Sequence, residues 1–279
     1  FLAGSAASIL SDIDKYMIPQ KEAISQTAFY AVAVFIATVV EVPGRAMFQI
    51  INPLVAKSLN ENNLKELKIL YSKSSINLLI IAGLFFLLIN INIEPFYKLM
   101  SNSLYGDAIW VVLMISISKL ILMSFGCGPA ILATSKFYKI TLPFSVFMAI
   151  TVYFLNDILI DIYSINGAAL STLIVVSAFT LIKVIYIRFK LNIIPYSIHS
   201  LKVLGIILLI FILFGDNDGD GRVIYFLFKN IDFEFPSLIK VALNSLLVAL
   251  LYTIIIYKSK SSESINLFID NLIKRKFRS

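Results

Sequence analysis

Five polar side chains recur at helical spacing inside a long apolar segment near the start of the chain. Neighbouring members are three or four residues apart, so on a helix they share one face. Charged groups inside a membrane helix are costly and usually face a bundle interior or an aqueous cavity. The pattern therefore predicts the lining of a polar cavity, with a structural ion pair between packed helices as the alternative. We call this set the polar stripe: Thr38, Glu41, Arg45, Gln49 and Asn52.

Three further charged residues are candidates for binding. Lys119 lies about twelve residues into another apolar segment, with Ser116 one turn away. A lone deep lysine needs a counter-charge, which an acidic side chain or an anionic substrate can supply. Asp12 and Asp14, in the first segment, could bind a coupling cation or a proton. The alternative is that these two acids mark the helix end that reaches the lipid headgroups.

Other kinds of chemistry have little support. The chain has one cysteine, Cys127, and one histidine, His199, so neither a disulfide framework nor a Cys/His metal cluster is available. The sequence contains no nucleophile elbow, zinc-protease motif, Walker loop or dinucleotide fingerprint. We therefore predict a protein that is not an enzyme, holds no metal or cofactor and does not hydrolyse ATP.

Composition sets the class of protein. Of the 279 residues, 59% are hydrophobic and only 15% are charged, against roughly 25% charged in soluble domains. Mean hydropathy is +0.88. These values predict an all-α integral membrane protein. In a soluble domain the net charge of +7 would suggest nucleic acid. In a membrane protein, the distribution of the basic residues indicates which loops lie in the cytoplasm. We therefore expect no nucleic-acid partner.

About 20 apolar residues cross a bilayer, and the chain offers about eight such segments. The predicted spans are 1–18, 27–56, 74–96, 107–133, 140–156, 164–187, 201–215 and 237–257.

The basic residues predict the orientation of these spans. If the loops alternate sides, 16 of the 24 Lys and Arg residues fall in one set, formed by 57–73, 134–139, 183–202 and the tail from 258. The positive-inside rule places that set in the cytoplasm. We therefore predict a multi-pass protein of the cell inner (plasma) membrane whose chain start and C-terminus are cytoplasmic. The basic tail is expected to lie on anionic membrane lipids.

Three stretches resemble one family of transporters. The run Ser11–Ile18 is similar to the seventh helix of polysaccharide-biosynthesis flippases in the multidrug/oligosaccharidyl-lipid/polysaccharide exporter superfamily. The stretch from Tyr30 through Val42-Pro43 to Asn52-Pro53-Leu54-Val55-Ala56-Lys57 is similar to their eighth helix. Asn156–Ile160 followed by Ile165–Thr172 looks like their outer turn between helices eleven and twelve.

The resemblance implies a fold and a domain plan. The chain would correspond to helices seven to fourteen of a MATE-like fold. Residues 1–190 would form one six-helix lobe, 191–257 two additional transmembrane helices, and 258–279 a basic cytoplasmic tail. An N-terminal lobe that this chain does not contain would be required to complete the transporter.

The resemblance also implies a function. The substrate would be a polyprenyl-pyrophosphate-linked oligosaccharide, flipped across the membrane by alternating access for O-antigen or capsule-type surface polysaccharide. Other polysaccharide-assembly proteins are possible partners. Arg45 and Lys119 would hold the diphosphate, beside Glu41. Gln49, Asn52 and Ser116 would meet the sugar.

Three alternatives stay open. A drug or cation antiporter of the same superfamily would favour acidic and aromatic cavity residues. A membrane polymerase or ligase would be expected to carry a large outer loop, and the longest outer loop here has about 20 residues. The chain could also be an inert fragment of such a transporter.

Overall fold

The computed structural model describes residues 2–99, 106, 108–215 and 237–276. Every regular element within these residues is helical, which confirms the all-α class. The last three residues of the predicted tail, Phe1 and the segment 216–236 lie outside the described residues. The helices are α1 Leu2–Lys21, α2 Ile24–Thr38, α3 Val42–Asn60, α4 Leu64–Leu99, α5 Ile109–Ser124, α6 Gly128–Thr134, α7 Thr141–Tyr163, α8 Ile165–Leu191, α9 Ile198–Phe214, α10 Ser237–Ser259 and α11 Glu263–Lys276, with 3-10 turns at Val39–Glu41 and Tyr138–Ile140.

Several helices are long and apolar enough to cross a membrane, as a multi-pass membrane protein requires. Five stretches in the described residues qualify, or six if α5 and α6, which meet at a bend of 58°, form one broken span. Helix α9 is apolar but short, and α1 is not among the qualifying stretches. The predicted total of eight spans and the MATE-like arrangement stay predictions. The five stretches are Ile24–Asn60, Leu64–Lys98, Tyr138–Tyr163, Ile165–Leu191 and Val241–Ser259.

The connection predicted over 57–73 is mostly helical, because α3 and α4 extend into it. Asn63 forms a reciprocal cap at the start of α4. Its amide oxygen accepts the backbone N–H of Glu66, and its amide nitrogen donates to the Glu66 carboxylate, each at 3.1 Å. Helix α4 has 36 residues, or about 54 Å at 1.5 Å per residue. It is therefore longer than the bilayer core of about 30 Å.

Helices α7 and α8 form a closely packed hairpin. Ser164 joins them with a positive φ of 54°, and Gly167 and Ala168 are buried at the start of α8. A Cβ atom on Gly167 would lie 1.9 Å from the carbonyl oxygen of Leu159. The small residues of this turn thus allow the two helices to approach closely. Helix α1 packs on α7, and α5 packs on both α8 and α2.

The break between α5 and α6 is fixed to α4. Gly126 adopts a φ of +59°, and a Cβ atom there would lie 2.6 Å from the backbone nitrogen of Ser75. The Ser75 hydroxyl donates to the carbonyl of Ser124 at 2.6 Å, and the Ser74 hydroxyl accepts the backbone N–H of Cys127 at 3.0 Å. Only glycine fits this position without strain. Helix α4 also packs on α9 and α10, around a separate apolar cluster.

Candidate functional site

A polar cavity of about 400 Å³ lies between α1, α2, α5, α7 and α8. Its walls carry charge of both signs, although the helices around it are largely apolar. Charged side chains from three helices and the 3-10 turn Val39–Glu41 line one cavity, which is the arrangement expected of an aqueous cavity in a membrane protein. The charged lining residues are Asp12, Asp14, Lys15, Glu41, Lys119 and Lys183.

Asp14 on α1 is buried, with 5% of its surface exposed. Its carboxylate accepts three hydrogen bonds from uncharged donors on three helices. The Tyr30 hydroxyl donates at 2.5 Å, the Asn156 amide at 2.6 Å and the Thr172 hydroxyl at 2.9 Å. Hydrogen bonds to a carboxylate are stronger than neutral ones. Asp14 therefore ties α1 to α2, α7 and α8.

The other charges of α1 lie at the margin of this region. Lys15 pairs with Asp12 at 2.8 Å, and both side chains are well exposed. Lys21, at the end of α1, contacts Asp157 at 2.7 Å and Asp161 at 2.9 Å on α7. These contacts fasten α1 to α7 beyond the Asp14 site.

Glu41 lies at the break between α2 and α3 and binds two cations. Lys119 Nζ is 2.9 Å from one carboxylate oxygen, and Arg45 Nη2 is 3.3 Å from the other. The 3-10 turn ends at Glu41, just before Pro43 near the start of α3. Proline has no N–H to donate to the preceding turn, which is consistent with a break in the helix at this point. The structure supplies Glu41 as the counter-charge that Lys119 requires.

Gly44 brings α3 close to α5 at this break. A Cβ atom on Gly44 would lie 2.6 Å from the sulfur of Met123. The close approach places the Glu41 carboxylate within reach of the Lys119 side chain on the neighbouring helix.

Lys183 is a lining residue that the sequence analysis missed. It was counted among the loop cations of 183–202, but it lies inside α8 and is partly buried. It makes no hydrogen bond or ion pair within the described part of the chain. The available signal was the predicted span 164–187, which already contained residue 183 although the cytoplasmic loop was counted from the same residue.

The net charge differs along the cavity: Asp12, Asp14 and Lys15 together are negative, whereas Glu41, Lys119 and Lys183 together are positive. Thr172, which binds Asp14, and Lys183 both line the cavity from α8. They are eleven residues apart, which corresponds to about 16 Å along a helix. Tyr30 and Glu41 have the same separation on the α2 side. The buried acid therefore lies toward one end, and Glu41, Lys119 and Lys183 lie toward the other.

The polar stripe divides at the 3-10 turn. Thr38 and Glu41 line the cavity, whereas Gln49 and Asn52 lie on an exposed face of α3. Arg45 is 71% exposed and reaches Glu41 from outside the cavity lining. The tighter turn changes the helical phase, so residues before and after it do not share one face. Ser116, predicted beside Lys119, is fully buried and does not line the cavity.

The described residues contain no group of three His, Cys, Asp or Glu side chains that could hold a metal ion. A second cavity of about 450 Å³ lies between α3, α4, α10 and α11 and is almost entirely apolar. The polar cavity is thus the candidate site for a charged ligand.

Comparisons with protein family models, with curated proteins and with solved structures gave no match to this chain.

Proposed function

We propose that this chain is part of a transporter that moves the anionic headgroup of a lipid-linked oligosaccharide across the membrane by alternating access. The observation that supports this proposal is Lys183, a partly buried cation in the polar cavity that makes no ion pair among the described residues. A deep unpaired lysine is costly in a membrane protein unless a ligand compensates it. A polyprenyl diphosphate supplies such a charge.

The neighbouring ion pair can also contribute to anion binding. Glu41 contacts both Lys119 and Arg45. A diphosphate that enters the cavity can therefore bind Lys119 while Glu41 keeps Arg45 as its partner. Lysine binds phosphate as a point charge, and arginine can bind it bidentately. Lys119 and Lys183 can therefore both contact the diphosphate, while Arg45 remains paired with Glu41.

The sugar would lie against the exposed polar face of α3. Gln49 and Asn52 are exposed there, on the same face of the helix as Arg45. An exposed polar face on a membrane helix requires an aqueous cavity or a second protein surface. A second lobe that closes over α3 would enclose the sugar, in agreement with the resemblance to two-lobed flippases. Fully buried Ser116 would need a change of packing to reach it.

Asp14 is the better of the two predicted ion-coupling residues. Asp14 is buried and hydrogen-bonded to three helices, so a cation or proton bound there would alter the contacts that hold these helices together. Asp12 is exposed and already paired with Lys15. Binding of a cation or proton at Asp14 would couple an ion gradient to the transport step.

The buried Asp14 favours a second candidate function, a drug or cation antiporter. A buried acid surrounded by neutral donors can attract a cationic substrate directly. The antiporter would use Asp14 as the substrate site, and Lys183 would then repel the substrate. The sign of charge that the basic end attracts separates the two functions.

A flipping assay tests the proposal. The chain is reconstituted in vesicles, alone and as the complete product of its gene, with a fluorescent polyprenyl-diphosphate sugar. Dithionite quenching reports the leaflet. We expect Lys183→Met and Lys119→Met each to slow flipping about 10- to 100-fold, since a hydrogen bond to a charged group contributes about 1.5–3 kcal/mol. Lys68→Met, at an exposed lysine, is the matched control.

Unchanged flipping in both cavity variants would contradict the cationic site. If the complete product flips the lipid and residues 1–279 alone do not, the chain is the inert fragment described above.

A further inference from the structure

Basic and aromatic side chains converge where α7 begins and α8 ends. The ring of Phe137 packs edge-on against Tyr186 with centroids 6.1 Å apart, and Phe144 packs against the same Tyr186 at 5.9 Å. Lys136 Nζ lies 5.4 Å from the Phe137 centroid, and Lys190 Nζ lies 5.7 Å from it. We call these five residues the basic–aromatic cluster.

The two lysines share one aromatic ring although their charges repel each other. Lys190 is also 6.0 Å from the Tyr186 centroid. A cation within about 6 Å of a ring face is attracted by the ring quadrupole, which holds each ammonium group in place. An anion between the two ammonium groups would remove their mutual repulsion.

The described structure supplies no such anion. Neither Lys136 nor Lys190 makes an ion pair with any residue that the structure describes. The sequence has no Asp or Glu in 108–156 or in 162–215. Lys139 and Arg188, near the cluster in sequence, are exposed and add to the positive charge. Lys136 and Lys190 are both exposed, so an anion from outside the chain can reach them.

The surroundings of the cluster indicate a membrane surface. Phe189 is 82% exposed and Tyr138 is 56% exposed, beside Lys190 and Lys139 in sequence. Exposed rings next to basic residues are typical of the bilayer interface. The positive-inside count predicts that this end of the helices faces the cytoplasm, where the leaflet carries anionic lipids.

We propose that the basic–aromatic cluster is a docking site for the phosphate headgroup of an anionic membrane phospholipid. The phosphate lies between Lys136 and Lys190, and the exposed rings of Tyr138 and Phe189 contact the lipid below the headgroup. This site is separate from the transport cavity, so it does not depend on the proposed function.

Binding of phosphatidylglycerol to the full chain in neutral detergent tests the proposal, with phosphatidylcholine as the neutral probe. Native mass spectrometry across a lipid titration gives the dissociation constants. A basic residue near an anionic surface contributes about 1 kcal/mol, or about fivefold. The double variant Lys136→Gln, Lys190→Gln should therefore weaken phosphatidylglycerol binding about 25-fold and leave phosphatidylcholine binding unchanged.

Two variants control for charge and position. Lys65→Gln, Lys68→Gln removes two exposed lysines from α4 on the same predicted side, and it should leave phosphatidylglycerol binding within about twofold of the unaltered chain. Lys136→Arg, Lys190→Arg keeps both charges and should retain binding. Because exposed charges are screened by salt, binding to the unaltered chain should fall as salt rises. An equal loss in the α4 variant, or equal affinity for the two lipids, would overturn the proposal.

Discussion

Asp14 and Glu41 line the same cavity, but their charges are compensated in different ways. Asp14 is held by three uncharged donors, so its negative charge is stabilised and not cancelled. Glu41 contacts two cations, Lys119 and Arg45, and Lys183 adds a third positive charge on the same side of the cavity. The cavity is therefore polarised, with an acid end and a basic end.

The two ends also differ in how their helices are joined. At the acid end, Asp14 connects α1 to three other helices, and the α7–α8 hairpin closes with almost no space between its backbones. At the basic end, Glu41 lies at a helix break and its contacts are ion pairs that a ligand can replace. The comparison indicates a fixed acid end and an adaptable basic end.

The largest predicted effect is at Asp14. Asp14→Ala removes the acceptor of three buried donors, and each donor left without an acceptor costs about 1–3 kcal/mol. We expect a loss of several kcal/mol, measured as thermal unfolding in detergent. Asp14→Asn keeps one acceptor oxygen and should lose clearly less. Equal losses in the two variants would show that the hydrogen bonds do not hold the acid end.

The hairpin beside Asp14 should tolerate no added side chain. Gly167→Ala places a Cβ atom against the Leu159 carbonyl, and overpacking costs about 1–3 kcal/mol or more. Gly205→Ala on α9 is the matched control, because its Cβ atom would meet nothing within 4 Å. The control should be stabilised by about 0.5–1 kcal/mol, the cost of glycine inside a helix. Equal unfolding temperatures for both variants would argue against the tight hairpin.

The basic end should be less sensitive. Glu41→Gln removes the partner of two cations, but Arg45 is exposed and can be hydrated. We expect a loss of about 1–2 kcal/mol, between the values for surface and buried pairs. In the double variant Glu41→Gln, Lys119→Met the unpaired ammonium group is also removed. This variant should recover part of the lost free energy of unfolding. A loss as large as that of Asp14→Ala would remove the distinction between the two ends.

The smallest effect is predicted for the exposed pair of α1. Asp12→Asn breaks the ion pair with Lys15. Both side chains of this pair are well exposed. Such pairs contribute little in water, so unfolding should change by no more than about 0.5 kcal/mol. A change of 2 kcal/mol or more would show that Asp12, like Asp14, holds the acid end of the cavity together.

The sequence predicted individual members of the site better than their arrangement. Hydropathy predicted the helices, and spacing and charge singled out Glu41, Lys119 and Asp14, which all line the polar cavity. Spacing assumes one continuous helix, so it could not anticipate that the 3-10 turn separates Gln49 from Glu41. The donors to Asp14 come from Asn156 and Thr172, far along the chain, and only tertiary packing joins them. Lys183 was overlooked because it was counted with the loop from 183, although it follows Thr172, Val176 and Thr180 at helical spacing.

The sign of charge that the cavity attracts tests the central claim most directly. Leu122 lines the cavity one turn from Lys119, and Val34 lines it one turn from Tyr30. Single cysteines at these positions can be labelled with anionic and cationic thiol reagents, because native Cys127 is buried. We predict that Leu122→Cys reacts faster with the anionic reagent, that Lys183→Met abolishes this preference, and that Val34→Cys prefers the cationic reagent. Faster reaction of Leu122→Cys with the cationic reagent would contradict an anion-binding basic end.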